Sequence, residues 1–220
     1  MSKELKKRLI TSFFLLSLLF LMFFYNFILI ISLILIALLS WVEFYVLISR
    51  IFNKKNKENI ILRFLYKGIS LLYLSILTYF ILITVSTNNE SEIFVIYSIL
   101  ISVMTDIGGL TIGRIFKGKK LTKLSPKKTV SGSIGSFIFS LLLIPFFFQY
   151  LSGISLIILC FSTLVISFVS QLGDLFVSYL KRKAKVKDTS NLLPGHGGIL
   201  DRVDGIIFSI PIGCLVLNYI

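Results

Sequence analysis

The sequence predicts an all-α protein: a polytopic bundle of about seven transmembrane helices with its N-terminus in the cytoplasm. Three observations predict it. Of 220 residues, 56% are hydrophobic and only 15% are charged, far outside the usual soluble range. The apolar residues gather in runs long enough to cross a hydrocarbon core of roughly 30 Å. The 23 Lys and Arg residues sit in clusters between those runs, all on one side of the membrane when the runs are read as spans. The net charge of +13 is therefore read as topology, and it argues against nucleic acid as a partner, because the clusters do not line one soluble face.

Taken in order, residues 1–8 are basic and lead into apolar sequence much as a signal peptide does. No small-residue cleavage site follows and the apolar run continues too far, so the segment is read as a first anchor. From residue 9 to 49 the only charged residue is Glu43. A straight helix of that length would measure about 60 Å, too long for one crossing. A hairpin near Tyr25-Asn26 divides it into spans at 9–25 and 27–49, although no Gly or Pro marks the turn. Further apolar runs at 64–85, 93–113, 130–149, 154–180 and 198–220 complete the seven.

The loops test that count. With the N-terminus inside, residues 1–8, 50–63, 114–129 and 181–197 lie in the cytoplasm and hold every Lys and Arg, counting Lys67 and Arg202 as edge residues. The opposite side, residues 86–92 and 149–153 together with the end of the chain at Ile220, has none. Asn89-Glu90-Ser91 matches a glycosylation acceptor, a triplet that is common by chance and here lies in a short loop. Cys160 and Cys214 stand alone in apolar stretches and read as buried thiols.

Five of the ten acidic residues fall within predicted spans: Glu43, Asp106, Asp174, Asp201 and Asp204. A carboxylate at a helix centre costs about 2.5 to 3.5 kcal/mol, so it faces a protein interior, a cavity or a partner charge. Asp174 precedes Lys181 by seven residues and Asp106 precedes Arg114 by eight, which puts each about 10 to 12 Å from the cytoplasmic edge. Asp201 and Asp204 share one helix face and present oxygen ligands suited to a hard cation such as Mg2+. Simple ion pairs, such as Asp201 with Arg202, are the plain alternative for each residue. The loop before Asp201 carries Lys181, Arg182, Lys183, Lys185 and Lys187, and carboxylates beside cations at a membrane boundary suit a metal-bound polyphosphate. Gly195, Gly197 and Gly198 would let backbone amides approach phosphate oxygens, with the dipole of the last helix behind them.

A second basic segment contains Ser125-Pro126-Lys127-Lys128-Thr129. Pro126 disfavours helix at Ser125, so a helix starts here, with Lys127, Lys128 and the Thr129 hydroxyl directed at a ligand phosphate; a positive-inside loop binding anionic head groups is the alternative. Gly132 and Gly135 permit close helix packing. His196 is the only histidine, which excludes a multi-histidine metal site and leaves a phosphate contact, structural bonding or proton handling.

The 27-residue run over 178–204, containing Lys181-Arg182, Lys187-Asp188, Pro194-Gly195-His196-Gly197-Gly198 and Asp201-Arg202-Val203-Asp204, resembles the signature of the phosphatidate cytidylyltransferases. Ser170-Gln171-Leu172-Gly173-Asp174 is similar to the segment before that signature. Asp106 with Gly108, Gly109 and Gly113, followed by the segment at 125–129, is similar to the family's earlier motif. The resemblance covers roughly residues 100–210. It implies transfer of a cytidylyl group from CTP to phosphatidic acid at the cytoplasmic face of the bilayer, giving CDP-diacylglycerol and pyrophosphate, with Mg2+ required and a second, monovalent cation such as K+ as an option. Carried over by position, Asp174 and Asp201 hold the metal centre and Lys181 contacts phosphate; these three form the catalytic set. Lys127, Lys128, Lys187, His196, Gly197, Gly198 and Arg202 are assigned to phosphate and substrate binding, and Asp106 and Asp204 to the metal or its surroundings.

On this reading residues 1–92 form three N-terminal membrane helices and residues 93–220 the catalytic membrane domain. The N-terminal half is short for the family, and Gly109 is followed by Leu110 where a small residue and then an aromatic are expected. Family likeness also suggests a homodimer. Abundant Ile, Lys, Asn and Phe suit an AT-rich bacterial genome, making the membrane the inner or plasma membrane. The rival readings are a CTP-dependent lipid or polyprenol kinase, and a membrane transporter.

Overall fold

A computed structural model describes residues 3–52, 57–86, 91–122, 125, 128–151 and 153–218. The described chain is all-helical: α1 (Lys3–Phe24), α2 (Asn26–Ile51), α3 (Lys57–Ser86), α4 (Ser91–Phe116), α5 (Val130–Leu141), α6 (Ile144–Phe147), α7 (Leu156–Lys183) and α8 (Leu200–Asn218). Among the described residues, pairing outside helices is limited to the isolated bridges Lys120 to Thr129 and Leu193 to Gly197. Among the described residues, five stretches are long and apolar enough to cross a membrane: Asn26–Ile51, Lys57–Val85, Glu92–Phe116, Val130–Phe147 and Leu156–Lys183. α1 carries a shorter apolar stretch, Leu9–Met22. The chain is thus a multi-pass membrane protein. The acceptor triplet Asn89-Glu90-Ser91 and the chain end at Ile220 lie outside the described residues, apart from Ser91 at the start of α4.

Two compact units form, Met1–Leu82 with Leu180–Arg202, and Ile83–Tyr179 with Val203–Ile220. In the first, α1 and α2 meet at Tyr25, a single residue with extended backbone. The chain reverses there. Thr11 donates to the Pro194 carbonyl at 2.9 Å and Ser190 donates to Glu43 at 2.6 Å. Four residues of chain span at most about 14 Å, whereas a straight helix would part positions 11 and 43 by about 48 Å. The expected hairpin is therefore present without Gly or Pro; Tyr25 alone leaves the helical region. Trp41 on α2 donates from its indole to the Lys67 carbonyl on α3 at 3.2 Å. The Lys67 ammonium lies 3.2 Å from the centroid of the Tyr45 ring, so a buried edge lysine finds its partner in a π face.

The second unit is inside out relative to a soluble domain. Its helices put hydroxyls where they meet: Ser102 donates to Ser209 at 2.6 Å, Thr105 and Ser167 lie 2.8 Å apart, and Tyr97 and Thr163 lie 2.6 Å apart. In a bilayer there is no hydrophobic force between helices, so small polar residues and interhelical hydrogen bonds hold them. An apolar cluster of Tyr97, Ile101, Ile144, Leu159, Ile166 and Leu217 closes one part of this unit. Large apolar side chains face outward in both units, Phe64 at 80% and Ile157 at 83% exposure, surfaces that belong against lipid. α4 and α5 cross on glycines: a Cβ on Gly108 would meet the Gly135 carbonyl oxygen at 2.5 Å and the Phe139 Cβ at 2.7 Å. The predicted role of Gly132 and Gly135 in close packing is met at this crossing.

Candidate active site

Glu43, Asp174, Asp201 and Asp204, four of the acidic residues singled out in the sequence, are each held by a basic or hydrogen-bonding partner. In the second unit, Asp174 on α7 forms an ion pair with Lys128, and Ser178, one turn on, lies 3.4 Å from its carboxylate. Lys128 comes from the segment leading into α5. Thr129 is the N-cap of that helix, its hydroxyl accepting from the Gly132 amide at 3.1 Å, so the predicted helix start is found. The hydroxyl expected to aim at a ligand accepts the capping bond. Lys127, Pro126, Lys123 and Leu124 lie outside the described residues. Gln171, one turn before Asp174, accepts from Ser133 at 2.5 Å through its carbonyl, while its buried amide nitrogen has no hydrogen-bond partner among the described residues. Asp106 on α4 is exposed. Asp204 on α8 is buried and accepts from the Gly205 amide at 2.9 Å. A Cβ on Gly173 would meet Phe208 at 2.6 Å and the Asp204 carbonyl oxygen at 2.7 Å, so the glycine before Asp174 is required by the close approach of α7 and α8.

In the first unit, Lys181 in the last turn of α7 donates to Asp201 in the first turn of α8 at 2.6 Å. Only 12% and 8% of the two side chains are exposed, so this pair is drier than a surface salt bridge. The plain alternative of Asp201 with Arg202 is not formed. Arg202 instead donates through its guanidinium to the His196 carbonyl, from Nε at 3.1 Å and more closely from a terminal nitrogen. Asp201 Oδ2 accepts from the Thr189 amide at 2.9 Å and the Gly198 amide at 3.1 Å, and lies 3.0 Å from the Thr189 hydroxyl oxygen. The Gly198 contact reaches three residues back, the local geometry by which an acid in a first turn satisfies an amide ahead of the helix.

The loop between α7 and α8 is built to bring those amides inward. Lys185, Gly195 and Gly197 take positive φ of 57°, 79° and 87°, and the last two are glycines because that conformation strains other residues. Leu193 and Gly197 exchange amide bonds at 2.9 and 3.1 Å, which pinches the turn around His196. The His196 ring lies 3.4 Å from the Ser12 hydroxyl through Nε2, and among the described residues its buried Nδ1 has no hydrogen-bond partner. Lys187 is exposed on this loop.

Glu43 is the site residue that sequence reasoning left without a task. The signal was present as a lone carboxylate in an apolar run, but its partners lie about 150 positions away and no spacing rule names them. It is 2% exposed. Its carboxylate accepts from the Thr189 hydroxyl at 2.6 Å, the Ser190 hydroxyl at 2.6 Å, the Ile199 amide at 3.0 Å and the Leu200 amide at 2.9 Å.

Carboxylate oxygens, hydroxyls and backbone carbonyls are the donor chemistry a magnesium ion takes. Asp174 and Asp201 each carry an ammonium group on the carboxylate, in the place of a cation, which fits that chemistry. Among the described residues no three His, Cys, Asp or Glu side chains gather closely enough to hold a metal by themselves.

Comparison with known proteins gives the chain a lineage. The family model described as the cytidylyltransferase family matches residues 1–220. The chain is 39% identical over 131 residues to a phosphatidate cytidylyltransferase of Staphylococcus haemolyticus (strain JCSC1435), covering 58% of this chain and 50% of the relative. Against the protein of that name from Staphylococcus aureus (strain COL) the identity is 40% over 129 residues, covering 57% and 49%. Against the one from Helicobacter pylori (strain J99) it is 35% over 193 residues, covering 80% and 69%. The chain spans about half the length of the staphylococcal relatives it matches. The chain belongs to the cytidylyltransferase family.

Proposed function

We propose that this chain transfers a cytidylyl group from CTP to phosphatidic acid, giving CDP-diacylglycerol and pyrophosphate for phospholipid synthesis. The observation that carries the reading is the buried Lys181–Asp201 pair, braced by the amides of Thr189 and Gly198 within the 27-residue signature. The family membership and the names of the relatives point the same way.

In this reaction a phosphate oxygen of phosphatidic acid attacks the α-phosphorus of CTP, and the bond from that phosphorus to the oxygen bridging to the β-phosphate breaks. The electron pair leaves on pyrophosphate. A phosphomonoester with a second pKa of about 6 is already largely dianionic at neutral pH, so no dedicated general base is needed. The burden is charge: two anions must approach and a third must leave. Lys181 and Lys128 bring ammonium groups beside carboxylates, with Lys127, Lys187, Arg202, His196 and the amides of Gly197 and Gly198 as further phosphate contacts. Asp174 and Asp201 would hold Mg2+, with Asp204 and Asp106 assisting and a monovalent cation such as K+ as a second ion. When bound, the ion neutralises polyphosphate charge and makes phosphorus a better electrophile.

The same reading places seven spans in the bilayer of the inner or plasma membrane, with the N-terminus and active site cytoplasmic, so that acyl tails stay in lipid while CTP arrives from the cytosol. Residues 93–220 act as the catalytic region and 1–92 as its N-terminal helices, within a homodimer. The test is turnover of Asp174→Asn and Asp201→Asn in purified, detergent-solubilised protein. Each is expected to lose Mg2+-dependent CDP-lipid formation by a hundredfold or more while remaining membrane-inserted. Near-normal activity in both would remove the metal assignment.

A further inference from the structure

We propose that Glu43 is a positioning residue for the transfer reaction, fixing the loop over residues 189–200 and, through Thr189, whose hydroxyl it takes and whose amide donates to Asp201, the carboxylate of Asp201. The proposal rests on the cytidylyl-transfer reading for the reaction and on geometry alone for the anchoring.

A carboxylate that is 2% exposed on an apolar helix is costly, and among the described residues no Lys or Arg forms an ion pair with it. Packing alone would be served better by leucine. What offsets the cost is four donors, all from one loop. Two are the amides of Ile199 and Leu200, which open α8, so Glu43 caps from α2 the helix that carries Asp201.

The other link is a shared hydroxyl. Thr189 Oγ1 lies 2.6 Å from Glu43 Oε2 and 3.0 Å from Asp201 Oδ2. One hydroxyl has one hydrogen to give, and the shorter contact assigns it to Glu43. Asp201 Oδ2 then keeps the Thr189 and Gly198 amides as its donors. Removing Glu43 frees the hydroxyl hydrogen for Asp201 and changes the charge that carboxylate presents. The same approach explains one glycine of the signature: a Cβ on Gly198 would meet the Glu43 carboxyl carbon at 2.8 Å and collide with the Thr189 hydroxyl.

Glutamine cannot replace Glu43. Oε1 faces the Ile199 amide and Oε2 the Leu200 amide. Neither backbone N–H can rotate into an acceptor, so either placement of a glutamine amide sets NH2 against N–H.

The experiment uses the full chain in detergent with Glu43→Gln, Thr189→Val and Thr189→Ser. The first readout needs no substrate: tryptic cleavage after the exposed Lys185 and Lys187. Glu43→Gln is expected to cleave at least about tenfold faster. The second is CDP-lipid formation per folded protein. Glu43→Gln and Thr189→Val are expected to lower kcat by about ten- to a hundredfold, the scale of a small misplacement, with KM for CTP within about twofold. Thr189→Ser, which keeps the hydroxyl, is expected to restore kcat to within about threefold. Unchanged cleavage and kcat in Glu43→Gln overturn the proposal. So does equal behaviour of Thr189→Val and Thr189→Ser, or a kcat loss that vanishes once activity is normalised to the folded fraction. If the unsubstituted chain forms no CDP-lipid while Glu43→Gln still speeds cleavage, the transferase reading fails and the anchoring stands.

Discussion

At the residue scale, the two lysine-bound carboxylates differ in how firmly they are built. Lys128 and Asp174 are each 26% exposed, whereas Lys181 and Asp201 are nearly dry and Asp201 has two further amide donors. Breaking a buried pair from one side leaves an uncompensated charge and costs about 3 to 5 kcal/mol. Lys181→Met should therefore lower thermal stability in detergent as well as activity, while Lys128→Met should weaken substrate use with little change in melting. Equal melting losses in the two variants would contradict the difference in burial. The sequence makes Asp174, Lys181 and Asp201 legible, because carboxylates in apolar spans and lysines at their ends stand out against the background. It does not reveal which lysine holds which acid. Asp201 passes over its neighbour Arg202 for Lys181, 20 positions away, since adjacent residues on a helix do not face each other.

At the element scale, glycine placement governs how closely helices approach. The α4 and α5 crossing has backbone in contact with backbone at Gly108 and Gly135. Gly108→Val should force the helices apart and lower stability by about 1 to 3 kcal/mol, read as a fall in melting temperature without a change in secondary structure. A variant melting with the unsubstituted protein would show that the crossing tolerates a side chain. Close packing at Gly132 and Gly135 was readable in the sequence; that α4 is the partner helix was not. The serine and threonine bonds of the second unit were not, because hydroxyls scattered through apolar runs give no period and their partners lie far along the chain, as Ser102 with Ser209 shows. The break at Tyr25 was found from helix length alone.

At the scale of the whole molecule, five of the described helices are long and apolar enough to cross a membrane, and the proposed seven adds α1 and α8. Counting α1 as a span puts the basic residues 1–8 on the same side as 50–63, as the one-sided distribution of Lys and Arg requires. With Cys160 and Cys214 replaced by serine, a thiol introduced at Lys185 should react with an impermeant reagent only from the cytoplasmic face, and one introduced at Gly153 only from the opposite face. Labelling of both from one face would remove the seven-span topology. The central claim is cytidylyl transfer, and the most direct measurement follows each phosphate of CTP. Purified protein with Mg2+ and phosphatidic acid, given CTP labelled at the α-phosphate or at the γ-phosphate, should move only the α label into lipid and release the γ label as pyrophosphate. Transfer of the γ label to lipid, with CDP as the second product, would contradict it.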